Sequence, residues 1–299
     1  MINRLVVLAM IPVWVWIVLA VTTGLFGVIV VLVLAVSGTN SAISADLHYQ
    51  CDSAVGPDPS LTETATPSTT TASRSGAAGS TSAAPTVNPY AELTVAPDDT
   101  SASQWQRACV SALKTAPYQG QPLQTTNSGF VAECAQKLAL AQLGPSSGTT
   151  FGSSGDLATD LAAMGRSVIY QASAAGATGR CELPSTSAGG AGQEPGLATQ
   201  GSAMTRGPCG QLAAGASAAV LLPNTLAGQG GCGQRVDTAA VSAGDLVFWD
   251  YRNSAPTRSG IAVSRTEIIT VDPATGRTVQ ETMPTGRDVR VKRVLGGGS

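Results

Sequence analysis

Hydrophobic and polar positions divide the chain into an apolar opening, a long polar stretch, a helical middle and an alternating end. From Leu5 to Val36 there is no charged residue, and Val, Leu and Ile dominate. About 20 apolar residues in a helix cross a bilayer core. The run therefore predicts a transmembrane helix at 5–36 behind a stub at 1–4. The polar stretch that follows contains "LTETATPSTTTASRSGAAGSTSAAPTVNPY", with almost no large apolar residue. Such a segment buries too little surface to offset its ordering entropy. It predicts a disordered tether over 37–100. About 45 residues of this kind reach about 40 Å, at 5–6 Å × √n.

A folded head is expected at 101–299. "SASQWQRACVSALKTAP" places Trp105, Cys109, Ala112 and Leu113 at helical spacing after possible serine caps, and Pro117 ends it. "SGFVAECAQKLALAQLG" predicts a second helix, closed by Gly144-Pro145. "SGDLATDLAAMGRSVIYQASAAG" is a possible third helix, and the run beyond it, Ala177 to Arg206, is Gly-rich and lies within an expected insertion at about 145–210. After that the character changes. "GDLVFWDY", "SGIAVSRTEIITVD" and "RTVQETM" are β-branched and partly alternating, and "DPATG" is a hairpin turn. "DVRVKRVL" alternates charge with valine, which predicts a strand with one wet face. Helices followed by an antiparallel sheet give an α+β domain.

Charge fixes an orientation. Arg4 precedes the span and Asp46 is the first charge after it. The positive-inside tendency leaves the N-terminus cytoplasmic and the rest outside. A signal peptide is the competing explanation, but its apolar region is roughly 7–15 residues. Six cysteines, Cys51, Cys109, Cys134, Cys181, Cys209 and Cys232, follow the span. Outside the cytoplasm an even number reads first as disulfides. A Cys109–Cys134 bridge between the first two helices is the favoured pair, and the remaining pairing is open. No CxxC or CxxH spacing offers a metal site, and no cofactor is expected. Charged residues make up 12% of the chain and the net charge is −2, so nucleic acid is not an expected partner.

Several words in order resemble the NlpC/p60 family, papain-like endopeptidases of bacterial cell-wall peptides. "ALKTAPYQGQP" resembles a helix ending in a Pro-Tyr turn, and "TNSGFV" the Asp-Cys-Ser-Gly-Phe-Val helix start. "LPNTLAGQ" (222–229) resembles the Leu-Pro…Gln segment, and "SAGDLVFW" (242–249) the Pro-Gly-Asp-Leu-Val-Phe-Phe strand. "RSGIAV" resembles the His-Val-Gly-Ile strand and "PTGRDVRV" the closing strand. The words run over Trp105–Val294, and 145–210 has no counterpart. The resemblance implies a papain-like head outside a bacterial plasma membrane.

It also implies that the site is degenerate. The family's cysteine starts a helix whose positive end stabilises the thiolate, and a histidine takes its proton. Asn127 stands at the cysteine position and Arg258 at the histidine position. The third position falls on Glu281, or on Thr270 in another alignment of the hairpin. An amide is no nucleophile and a guanidinium no base. Ser128 lacks a base, and the one histidine, His48, sits just beyond the predicted span. No catalytic residue is therefore assigned.

Asn127 and Arg258 remain candidates for holding a peptide amide or carboxylate, because arginine presents a donor fork. Arg258 could instead pair with Glu281 or Asp245. Expected partners are the membrane, wall stem peptides and proteins of an envelope machine, for remodelling or for secretion or conjugation. The Gly-rich run and Trp249/Tyr251 are possible contact points. The alternative is an active endopeptidase with another nucleophile or a partner-supplied base.

Overall fold

The computed structural model describes residues 43–61, 88–143, 156–183 and 219–296. The chain divides after Tyr49 into two compact units. In the first, residues 43–49 are helical. The span expected at 5–36 lies outside the described residues, and no described helix is long and apolar enough to cross a membrane.

The second unit, from Gln50 onward, is α+β. Helix α1 is Gln104–Leu113, started by a capping box in which Ser103 and Gln106 bond each other's backbone, and it buries Trp105, Cys109 and Leu113. These positions lie four apart, on one stripe of the helix. Helix α2, Phe130–Ala141, starts behind Gly129 at φ 113, a conformation that side chains rarely adopt. The glycine of "SGFV" is thus required by the backbone. Helix α3, Leu157–Thr178, is capped by Asp156 and ends on the left-handed Gly179. A short α4, Leu226–Gly230, follows.

The sheet has six antiparallel strands: β1 Gln234–Val236, β2 Leu246–Arg252, β3 Ala255–Ala262, β4 Glu267–Val271, β5 Thr278–Thr282 and β6 Arg290–Arg293. Their order is β1-β6-β2-β3-β4-β5. β2 and β3 are joined through Asn253 and Ser254, both at positive φ, the backbone that suits a two-residue hairpin. Alternation sends Leu246, Phe248, Ile261 and Ile269 to the core shared with α2 and α3. It sends Val247, Ala262, Ile268 and Val291 to a smaller cluster on the other face, with Val236, Val241 and Val289.

Three expectations change. The insertion expected at 145–210 contains α3, and α3 is central: Leu161, Met164, Val168 and Ile169 are buried in the main core. The bridge expected between Cys109 and Cys134 is replaced by Cys51–Cys109 and Cys134–Cys181. The second of these ties α2 to the residues just after α3. Cys232 is disulfide-bonded as well, and Cys209 lies outside the described residues.

The head also begins earlier than residue 101. Besides the Cys51–Cys109 bond, Gln50 and Gln119 exchange two hydrogen bonds of 2.8 Å. Trp105 Nε1 donates to Gly56 O at 2.9 Å, and Asn88 Nδ2 to Ala116 O at 3.2 Å. Both described ends of the Ser/Thr/Pro-rich segment therefore belong to the head. The rest of the expected tether, 62–87, lies outside the described residues. Only residues 37–49 stand between the head and the predicted span.

Candidate functional site

Asn127 lies in the loop before α2 and is held by the far end of the sheet. Its N–H donates to Ser242 Oγ at 2.9 Å, and its Nδ2 donates to Leu295 O at 3.3 Å. Ser242 is fixed in turn by Asp245, a fully buried carboxylate, which accepts from Ser242 N at 2.9 Å and Oγ at 3.1 Å. Arg293 completes the lock. Its Nε and Nη2 donate to the two Asp245 oxygens at 2.7 and 2.8 Å, the two-pronged geometry of strong Arg–carboxylate pairs. The same guanidinium reaches Ser242 Oγ, Ala240 O and Thr125 O. The Asn127 amide is thus one strut of a hydrogen-bonded frame.

Arg258 sits elsewhere. It pairs with Trp249 across β2 and β3, with its guanidinium carbon 5.4 Å from the indole centroid. Its Nη2 donates to Val271 O at 3.4 Å. The Asp272 carboxyl is lowered by Thr275 and the Ala274 backbone, with Arg258 adding a smaller pull. Arg258 is therefore turned toward the β4–β5 hairpin. The Ser242–Asp245 turn docks on Ala262, at the other end of β3. Four residues of strand, roughly 13 Å at 3.3 Å each, separate Ala262 from Arg258.

The third position does not join them. Glu281 is exposed on β5, opposite Ile268, with β4 between it and β3. Thr270 is buried, and its hydroxyl donates to Ser259 O at 2.7 Å. Among the described residues no contact links Asn127, Arg258 and Glu281. The ion pair considered for Arg258 with Glu281 or Asp245 is not formed; the carboxylate of Asp245 belongs to Arg293. Cys134 is no thiolate, since it is bonded to Cys181. Ser128 is exposed, and no base stands beside it among the described residues.

A second polar centre was not foreseen from the sequence. Asp52 accepts from Arg235 Nη1 at 2.5 Å and from Arg290 Nη2, and the neighbouring Ser53 Oγ accepts from Lys292 Nζ at 2.6 Å. The supposed wet face of "DVRVKRVL" is therefore buried: Arg290 is 6% exposed and Lys292 0%. Burial raises the Asp52 carboxyl, but Arg290 and Arg235 outweigh it and leave the group below its usual range. Burial, with Arg235 adding to it, pushes the Lys292 ammonium down to about 7 from 10.5. The charge–valine alternation was itself a signal. In a strand flanked on both sides, charges on either face need partners.

This lysine makes stability depend on pH. Between about 7 and 10.5 the unfolded chain holds the Lys292 proton and the folded chain does not. The unfolded state then binds more protons, so this group makes stability rise with pH across that window, by up to about 1.4 kcal/mol per unit. Below 7 both states are protonated and the penalty is fully present. Lys292→Met is expected to remove this component. Urea melts of both proteins at pH 7 and pH 9 check it, and identical slopes would refute it.

On the sheet face away from α2 and α3, the described residues outline a groove of about 370 Å³ between Thr238, the β3–β4 turn and the 282–289 segment. No protein-family model matches the chain, and no curated protein or solved structure matches it either.

Proposed function

We propose that this chain is a single-pass protein of a bacterial plasma membrane. Its head, outside the cytoplasm, resembles an NlpC/p60 peptidase but does not cleave. It acts as a wall-peptide-binding or scaffolding component of an envelope machine. The observation that carries this reading is the state of the would-be catalytic positions. Asn127 is built into the Ser242–Asp245–Arg293 frame, and Arg258 is stacked on Trp249 about four residues away along β3. Neither an amide nor a guanidinium supplies a nucleophile or a base. The disulfides Cys51–Cys109 and Cys134–Cys181 favour an oxidising compartment.

The test is hydrolysis of purified cell-wall sacculi by the full chain in detergent micelles. No release of soluble peptide fragments is expected, at any pH between 5 and 9. Release above a buffer control, lost in a heat-denatured sample, would overturn the proposal.

A further inference from the structure

We infer that the groove beside the β3–β4 turn is a binding site for a short peptide ending in a free carboxylate, with Arg265 as the carboxylate's receiver. The inference rests on the non-catalytic peptide-binding reading above and moves the ligand from Arg258 to a different place. Its volume of about 370 Å³ falls within the range of small-ligand sites.

The lining has a consistent chemistry. Its floor includes Val289 and Met283, which belong to the apolar cluster on that face of the sheet. Thr238, Thr266, Thr282 and Thr285 are also among the lining residues, and a hydroxyl both donates and accepts, as recognition of a peptide amide requires. Arg265 is the single charged side chain among the lining residues. It is exposed, and it makes no hydrogen bond or ion pair among the described residues. Arg293 and Arg290, by contrast, are committed to Asp245 and Asp52. A cation with an open fork over an apolar floor selects an anion with a small apolar body.

Location supports the same site. The β3–β4 turn and the end of β5 lie at the end of the sheet where Gly244 and Asp245 dock on Ala262. That is the end at which Asn127 is held, whereas Arg258 faces the opposite end. Backbone bonding fixes the groove's rim, since Met283 N donates to Thr266 O at 2.7 Å. The site is thus preformed in the folded head.

The probe is N-acetyl-alanyl-alanine, compared with its C-terminal amide, titrated calorimetrically into the full chain in detergent micelles. Saturable binding of the acid is expected, with the amide weaker by about tenfold, the size of one charge-assisted contact. Arg265→Gln should bring the acid down to the level of the amide, and Arg258→Gln should leave it unchanged. Equal affinity for acid and amide would overturn the proposal, as would an unchanged affinity in Arg265→Gln. Loss in Arg258→Gln alone would return the ligand to the Trp249 side. Absence of binding by either probe overturns the groove assignment, while sacculus hydrolysis independently decides the non-catalytic reading.

Discussion

Exchanging Asp52 for alanine is expected to destabilise the head by about 3–5 kcal/mol, the cost of breaking a buried ion pair from one side. Asp52 is the carboxylate that receives both Arg290 and Arg235, and Lys292 lies within the same field. Arg290 is 6% exposed and the Asp52 side chain 15%, so little water reaches the guanidinium to replace the lost anion. The expected readout is a lower urea midpoint with an unchanged slope. Adding Lys292→Met should recover part of the loss, because one fewer cation then shares the site. The pH slope has the same sign as that of Lys292, because both groups are lowered on folding, but it lies in an acid window. The Asp52 carboxyl lies below its usual range, so its contribution is present above the ordinary value of 3.8 and fades as pH falls through the lowered folded value. A change below about 1 kcal/mol would mean that the pair is solvated, as at an exposed surface.

The same residue explains much of what the sequence withheld. The strands between residues 246 and 293 were legible because β-branched runs and turn residues act locally, and "DPATG" joins β4 to β5 where expected. Helices α1 and α2 were legible for the same reason: their apolar stripes and stop signals lie within a few turns. The wet face assigned to β6 was misread because the order β1-β6-β2 puts this last strand inside the sheet, and strand order is not a local property. Its partner on the helix side comes from residues 52 and 53, more than 230 positions earlier in the chain. Those residues precede a segment whose composition reads as a tether, and nothing local marks "QCDS" as part of the head. Strand β1 is only three residues long, too short for alternation to show, and it is recognised by its pairing with β6 and the Leu123 bridge. The central place of α3 was hidden by the Gly-rich run after it, which made the whole region resemble an insertion.

For the candidate site, the sequence named positions and the fold supplied the reason they do not combine. Asn127 and Asp245 are near one another through Ser242, but the cation that completes the group is Arg293, from the far end of the chain. Arg258 was placed beside Asn127 by resemblance to a family word. The register of β2 on β3 instead sets it over Trp249.

The frame around Asn127 gives the second large effect. Asp245→Asn keeps the shape of the side chain but removes the charge that faces Arg293, whose side chain is 8% exposed. A loss of about 3–5 kcal/mol is expected, since a buried guanidinium is left without its anion. The loss has a local signature that Asp52→Ala lacks. Ser242 Oγ, freed from Asp245, no longer holds the Asn127 N–H, and Arg293 no longer anchors Thr125 O. Hydrogen exchange at the Asn127 amide should therefore accelerate by more than global destabilisation requires, at a denaturant-free pH where the variant remains folded. In Asp52→Ala the same amide should track global unfolding. Equal protection factors at Asn127 in the two variants, after correction for their stabilities, would show that Asp245 supports the sheet without positioning the loop before α2. A selective loss in Asp245→Asn would establish that the loop carrying Asn127 is held in place by a buried ion pair.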